Sequence, residues 1–241
     1  MKSYRKTAII VGVLFLTATA TFMVGDSGLI ESILNAPDYL INVSANKSQV
    51  IIGMFLEFIN AAAVVGIAVL MFPMLKKQNE ALALGYVGSR IVESAILIVG
   101  HIFLLLLIIL SQEYVKAGDP DASYFQTLGT LFIAERGLTF RMVMIVVSLG
   151  ALMFYYLLYQ SKLIPRFISV WGLIGAPLSL AGGLIAVFGY RVGAFIPTST
   201  MILGLPIMLN ELFLGIWLIV KGFNPSAIAS QSTKADINEI K

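Results

Sequence analysis

The residues of this chain most able to do chemistry are polar and ionisable side chains that interrupt long apolar runs. We take as ligand or ion candidates Glu57, Asn60, Arg90, Glu93, His101, Arg141, Asn210 and Glu211, and we assign no catalytic residue. An ionised side chain at the bilayer centre costs about 2.5–3.5 kcal/mol on insertion scales. A membrane protein keeps several of them when they pair, face the bundle interior or line a wet cavity.

Depth along the helices sorts the charged residues into two groups. Counting 1.5 Å per residue from the ends of the apolar runs places Glu57, His101 and Arg141 near the outer side. Arg90, Glu93 and Glu211 lie deeper. We therefore predict that Glu57 pairs with Arg141, and that Arg90 and Glu93 meet Glu211. The same counting places Glu135 and Arg136 further out, at the level of the headgroups.

These pairings leave a surplus of acid. The three intramembrane carboxylates, Glu57, Glu93 and Glu211, would face only two arginines. One carboxyl group must therefore be protonated, hydrated or bound to a cation or cationic ligand. The alternative is that buried ion pairs only fix the packing of the helices. His101 is the only histidine, and a hydrogen-bonded interior role suits it better than a metal site, which needs three or four ligands. We predict neither a metal nor a cofactor.

The elements that position these residues follow from composition. The chain has 241 residues, is 59% hydrophobic and only 12% charged, and contains no cysteine. Its continuous apolar runs match the length of membrane helices rather than the alternating strands of a barrel. We predict an all-α bundle with six spans, at about residues 7–24, 50–72, 82–111, 126–159, 167–188 and 199–220. The fourth helix could start near Phe125 or only near Thr139, and the first span could instead be a cleaved signal peptide.

The loops predict the orientation. One side holds basic residues in every connection, including Lys76, Lys77, Lys162 and Arg166, whereas the other side holds Lys47, Lys116 and Arg191. This bias predicts that both termini are cytoplasmic. Residues 25–49 would form an outer segment with two short helices, the second starting at Pro37, and residues 224–241 a polar, disordered cytoplasmic tail.

Glycines share faces with the candidate acids. Gly53, Glu57 and Asn60 lie on one face of the second span, and Gly204, Glu211 and Gly215 share a face of the sixth. Because glycine lets another helix approach closely, these faces should point into the bundle.

Two motifs resemble those of a known family. One is Leu163-Ile164-Pro165-Arg166 followed by Val170-Trp171-Gly172, and the other is Asn210-Glu211-Leu212 followed by residues 217–223. With six spans, they resemble an uncharacterised family of bacterial inner-membrane proteins catalogued as a domain of unknown function. The resemblance implies a bacterial inner-membrane location and places Glu211 within a family motif, but it implies no activity.

Three functions remain open. The first is a small carrier, channel or binding protein that uses the polar interior for a proton, a cation or a small polar ligand. The second is a membrane scaffold or sensor with purely structural ion pairs. The third, an intramembrane enzyme, has the least support, because one histidine and no cysteine leave few catalytic arrangements. The lipid bilayer is the expected partner and nucleic acid is not, while the sequence does not indicate an oligomeric state.

Overall fold

The computed structural model describes residues 2–118, 122–189 and 198–230, which are helical throughout apart from turns and short connections. Helix α1 spans Lys2–Phe22 and continues without a break into a π-helical segment, Met23–Ile30. The remaining helices are α2 (Glu31–Leu34), α3 (Tyr39–Ala45), α4 (Lys47–Leu75), α5 (Glu80–Ala117), α6 (Ala122–Ser161), α7 (Arg166–Phe188) and α8 (Thr198–Val220). The start of α6 at Ala122 lies close to the earlier of the two starts considered for the fourth span.

Among the described residues, six helices are long and apolar enough to cross a membrane: α1 with its π-helical extension and α2 (Tyr4–Leu34), α4, α5, α6, α7 and α8. Each packs against its neighbour in the chain, and α1 also packs against α8. The six helices therefore form a closed ring.

The outer surface of this ring is apolar. Phe55 is 66% exposed and Ile109 57% exposed, whereas Arg90 and His101 are almost fully buried. A ring with apolar side chains outside and charged side chains inside is suited to lipid. The prediction of a six-span helical membrane protein is confirmed.

Both described ends of the chain lie at the same end of the ring. The Arg5 guanidinium donates to the carbonyl oxygens of Leu218 at 3.2 Å and Ile219 at 2.7 Å, in the last turn of α8. These carbonyls have no partner within their own helix, so a cation there satisfies them and complements the helix dipole. We call this end, which also holds the α4–α5 and α6–α7 connections, the basic end.

The opposite end is covered by the short helices α2 and α3, and we call it the cap end. Ile30, Leu34 and Leu40 pack with Leu104 and Leu107 in an apolar cluster there. The apolar side chains of the two short helices thus pack into the end of the bundle.

At the basic end, the predicted tail begins with residues that pack on the bundle. Residues 225–230 are helical and Ala227 is buried. The rest of the predicted tail, 231–241, lies outside the described residues.

Glycines set the closest helix crossings. A Cβ on Gly53 of α4 would lie 2.8 Å from the carbonyl oxygen of Gly25, and a Cβ on Gly25 would lie equally close to that of Gly53. Likewise, a Cβ on Gly12 of α1 would lie 2.6 Å from the carbonyl oxygen of Gly215 in α8. The expectation that Gly53 and Gly215 face another helix is confirmed.

The Gly53 crossing predicts a specific mutational effect. Gly53→Ala should destabilise the protein by about 1–3 kcal/mol, because the added methyl meets backbone that cannot move aside. Gly88→Ala is the control, since a Cβ there meets nothing within 4 Å and alanine favours helix. Unfolding of the purified protein in detergent measures both variants. An equal change in stability at the two positions would show that it arises from helix propensity and not from the helix crossing.

Candidate functional site

The deeper group of charges joins α5 to α8. Arg90 donates from Nη1 to Oε2 of Glu93 and from Nη2 to Oε1 of Glu211, both at 2.9 Å. Arg90 and Glu93 are buried, and the Glu211 side chain is 21% exposed. The predicted meeting of Arg90, Glu93 and Glu211 is confirmed, and we call these three residues the inner cluster.

Aromatic residues surround the inner cluster. The Arg90 guanidinium lies over the ring of Tyr86, 5.5 Å from its centre. Tyr155 of α6 is fully buried and close enough to Glu211, Tyr86 and Arg90 to interact electrostatically. Both tyrosine hydroxyls, and Nε of Arg90, are buried without a hydrogen-bond partner within the described part of the protein. Buried polar atoms are normally hydrogen-bonded, so these three set the inner cluster apart from the fully paired charges beside them.

Asn210 lies beside Glu211 and ties α8 to α7. Its Nδ2 donates to the carbonyl oxygen of Ile168 at 2.9 Å, while its Oδ1 is buried without a protein partner among the described residues. The amide therefore has a structural contact on one side and an open acceptor on the other.

The second group of charges lies towards the cap end and joins four elements. Glu57 of α4 contacts His101 of α5 through Oε2, 2.5 Å from Nε2, and accepts from Arg136 of α6 through Oε1 at 2.6 Å. The same Nη2 of Arg136 donates to Asp26 of the π-helical segment. All four side chains are buried, and we call them the outer cluster.

The π-helical segment brings Asp26 to this site. The apolar run of the first span ends at Val24, yet the helix continues to Ile30 without a break. Gly25 crosses Gly53 at backbone contact, so Asp26 and Glu57, one residue and one turn beyond these glycines, approach the same guanidinium. π-Helical turns recur at functional sites in other proteins.

The outer cluster corrects two of our predictions. The pairing of Glu57 with Arg141 is wrong, because Arg136 and His101 occupy its two oxygens. Asp26, expected in the outer segment, is buried inside the bundle, and Arg136, which was not among the candidates, is buried beside it. Arg141 is itself only 2% exposed, and its guanidinium lies back over Gly137.

The two clusters lie on a common face of α5. Arg90, Ser94, Leu97 and His101, which have the spacing of one helix face, are all buried. Ser94 lies between the clusters and donates to the carbonyl oxygen of Ala61 at 2.9 Å. Arg90 and His101 are eleven residues apart, a rise of about 16 Å along the helix.

Asn60 and Glu135 lie near the outer cluster. Asn60 is buried one turn from Glu57 on α4. Glu135 accepts a hydrogen bond from Thr139 at 2.6 Å, and Thr139 packs against Gly100, next to His101. Within the described ranges, no three His, Asp or Glu side chains are grouped to hold a metal ion.

The ring of apolar helices with charged residues at its centre defines a multi-pass α-helical membrane protein. Residues 10–222 match the family described as Domain of unknown function (DUF4386), so the chain belongs to this family, as its motifs indicated. No curated protein and no solved structure matches the chain.

The inner cluster predicts that neutralising Arg90 and neutralising Glu211 affect stability unequally. Arg90→Met leaves Glu93 and Glu211 without their cation and should cost about 3–5 kcal/mol of stability. Glu211→Gln keeps the Arg90–Glu93 pair and removes the surplus acid, so stability should change by no more than about 1 kcal/mol. Denaturant unfolding in detergent micelles compares the two variants. A loss in Glu211→Gln as large as that in Arg90→Met would contradict this account of the cluster.

Proposed function

We propose that this membrane protein conducts protons through its helix bundle as a small carrier or channel. The observation that carries the proposal is the contact of 2.5 Å between His101 and Glu57 within the outer cluster. This contact is a buried hydrogen bond between an imidazole and a carboxylate. Imidazole is the side chain that most readily exchanges its proton between about pH 5 and 8.

The charge balance of both clusters supports a proton as the bound species. In the outer cluster, Asp26 and Glu57 share the single guanidinium of Arg136, so one added proton neutralises the group. In the inner cluster, Glu93 and Glu211 share Arg90 in the same ratio. A surplus negative charge in a low-dielectric interior is costly, and one proton in each cluster removes it.

The arrangement along α5 supports a route between the clusters. The outer cluster lies under the apolar cap, and the inner cluster lies about 16 Å deeper on the same helix face. The Ser94 hydroxyl lies between them, and Leu97 separates Ser94 from His101 on this face. A water chain or a side-chain movement past Leu97 is needed to complete the route.

A scaffold with structural ion pairs is the second candidate. One observation supports this alternative: each charged group of the two clusters has a counter-ion within 3 Å, as a permanently paired core would require. Under this alternative, replacing one cluster residue would lower stability and change no flux.

Proton entry into liposomes separates the two candidates. We expect the reconstituted protein to acidify liposomes loaded with a pH-sensitive dye when potassium and valinomycin impose an inside-negative potential. Glu57→Gln and His101→Gln should reduce the rate to that of empty liposomes, because each removes one side of the proton-sharing contact. Glu113→Gln is the matched control, since that carboxylate is exposed and pairs only with the exposed Lys116 among the described residues.

Two outcomes would contradict the proposal. Wild-type liposomes that acidify no faster than empty ones would leave the scaffold as the better account. Unchanged rates in both cluster variants would place any proton route elsewhere.

We also propose that the basic end faces the cytoplasm of a bacterial cell, since the positive residues gather there. The absence of cysteine allows a direct test with single substitutions. Ser48→Cys lies at the cap end and Ser230→Cys at the basic end, and both serines are exposed. A membrane-impermeant maleimide should label Ser48→Cys in intact cells and Ser230→Cys only after permeabilisation. The reverse pattern would invert the orientation.

A further inference from the structure

A cavity of about 460 Å³ opens at the basic end, away from both ion clusters. One wall is the α6–α7 turn, which includes Lys162 and Arg166, and the other is the end of α8 with Trp217, Lys221 and Asn224. Since it lies where three membrane helices end, it is at the depth of lipid headgroups.

The cavity has a single sign of charge. Lys162, Arg166 and Lys221 line it, and no aspartate or glutamate of the described residues does. None of the three cations forms a salt bridge with a residue in the described ranges, and Arg166 lies over the ring of Tyr159 at 5.2 Å. Three cations that line one cavity, with no anion beside them in the described part of the chain, form a site for an anionic group.

The backbone around the cavity is fixed by specific contacts. The amide of Asn224 donates to the carbonyl oxygen of Leu163 at 2.8 Å, and its side chain donates to that of Lys162 at 3.3 Å. Lys162 has a φ of 55°, in the left-handed region that a lysine rarely adopts. The turn that carries two of the cations is therefore held against the end of α8.

The start of α7 adds to the positive potential. This helix of 23 residues begins at Arg166, and its N-cap residue, Pro165, makes no side-chain cap. Amide groups of an uncapped first turn attract phosphate and carboxylate oxygens. The amide groups at the start of α7 therefore add positive potential to that of the three side chains.

The lipid-facing flank of the cavity is aromatic and apolar. Phe167, next to Arg166, is 55% exposed and packs edge-on against Trp217, with ring centres 6.3 Å apart. Val220, next to Lys221, is 61% exposed. Cations above an exposed apolar surface match a molecule with an anionic head and hydrocarbon chains.

We propose that this cavity binds the phosphate diester of an anionic phospholipid, with Lys162, Arg166 and Lys221 around the phosphate. The acyl chains then lie along Phe167 and Val220. Basic pockets between membrane helices bind such headgroups in other proteins. A free phosphate ion shares the head chemistry, but it would make no use of the apolar flank.

Trp217 provides a reporter for lipid at this site. The chain has two tryptophans, so Trp171→Phe leaves Trp217 as the only one. In mixed micelles, phosphatidylglycerol brominated on its acyl chains should quench Trp217 at much lower mole fraction than brominated phosphatidylcholine does. Each basic residue near the headgroup should raise the affinity for the anionic lipid by a factor of about five.

Neutral substitutions test the three cations. Lys162→Gln, Arg166→Gln and Lys221→Gln together should reduce the preference for phosphatidylglycerol by about 100-fold, and Lys221→Gln alone by about fivefold. The matched control is Lys6→Gln, Lys76→Gln and Lys77→Gln, which removes the same charge from the same end outside the cavity. Melting in lipid-free detergent shows whether each variant is folded, and the single variant serves if the triple is not.

Three results would overturn the proposal. Equal quenching by the two lipids would show that the site does not recognise an anionic headgroup. If the control variant lost the same preference for phosphatidylglycerol, the preference would depend on the total positive charge of the basic end and not on the cavity. If inorganic phosphate raises the melting temperature of the wild type but not of the triple variant, and the lipid preference is absent, the ligand is free phosphate.

Discussion

An ionised group inside a membrane bundle needs a counter-ion from a neighbouring helix, and this requirement decides how the helices of this protein are turned. Arg90 on α5 meets Glu211 on α8, across the ring, and Arg136 on α6 joins α4 to the extension of α1. Rotating one of these helices by a single residue position, about 100°, would leave a charge facing hydrocarbon. The apolar exterior does little to choose between rotations, because lipid accepts any apolar face.

Glycine crossings and ion clusters work together in this ring. Glu57 follows Gly53 by one turn, and Glu211 precedes Gly215 by one turn, so each acid lies beside a point of backbone contact between helices. Close approach shortens the distance that the charged side chains must bridge. It also excludes water and lipid, which strengthens the electrostatic attraction within each pair.

The sequence predicted the helices well because hydropathy reports burial in lipid directly. It also predicted the inner cluster, since Arg90 and Glu93 lie on one helix and Glu211 is the only acid at that depth in the last span. The outer cluster was harder. Arg136 and Arg141 are both buried but differ by about 140° around their helix, and composition does not tell which of them meets Glu57. Asp26 was missed because the apolar run ends before it. The helix continues past that point through π-helical hydrogen bonds, which the residue types do not predict.

The π-helical segment has a consequence for movement. A π turn closes its hydrogen bonds to the fifth residue rather than the fourth, so Met23–Ile30 contains more chain than an α-helix of the same rise. Converting these eight residues to α geometry would lengthen the segment, turn Asp26 relative to the rest of α1 and push α2 and α3 away from it. Because Asp26 and α2 lie on one continuous helix, the geometry of Met23–Ile30 couples the position of this carboxylate to the position of the short helices at the cap end.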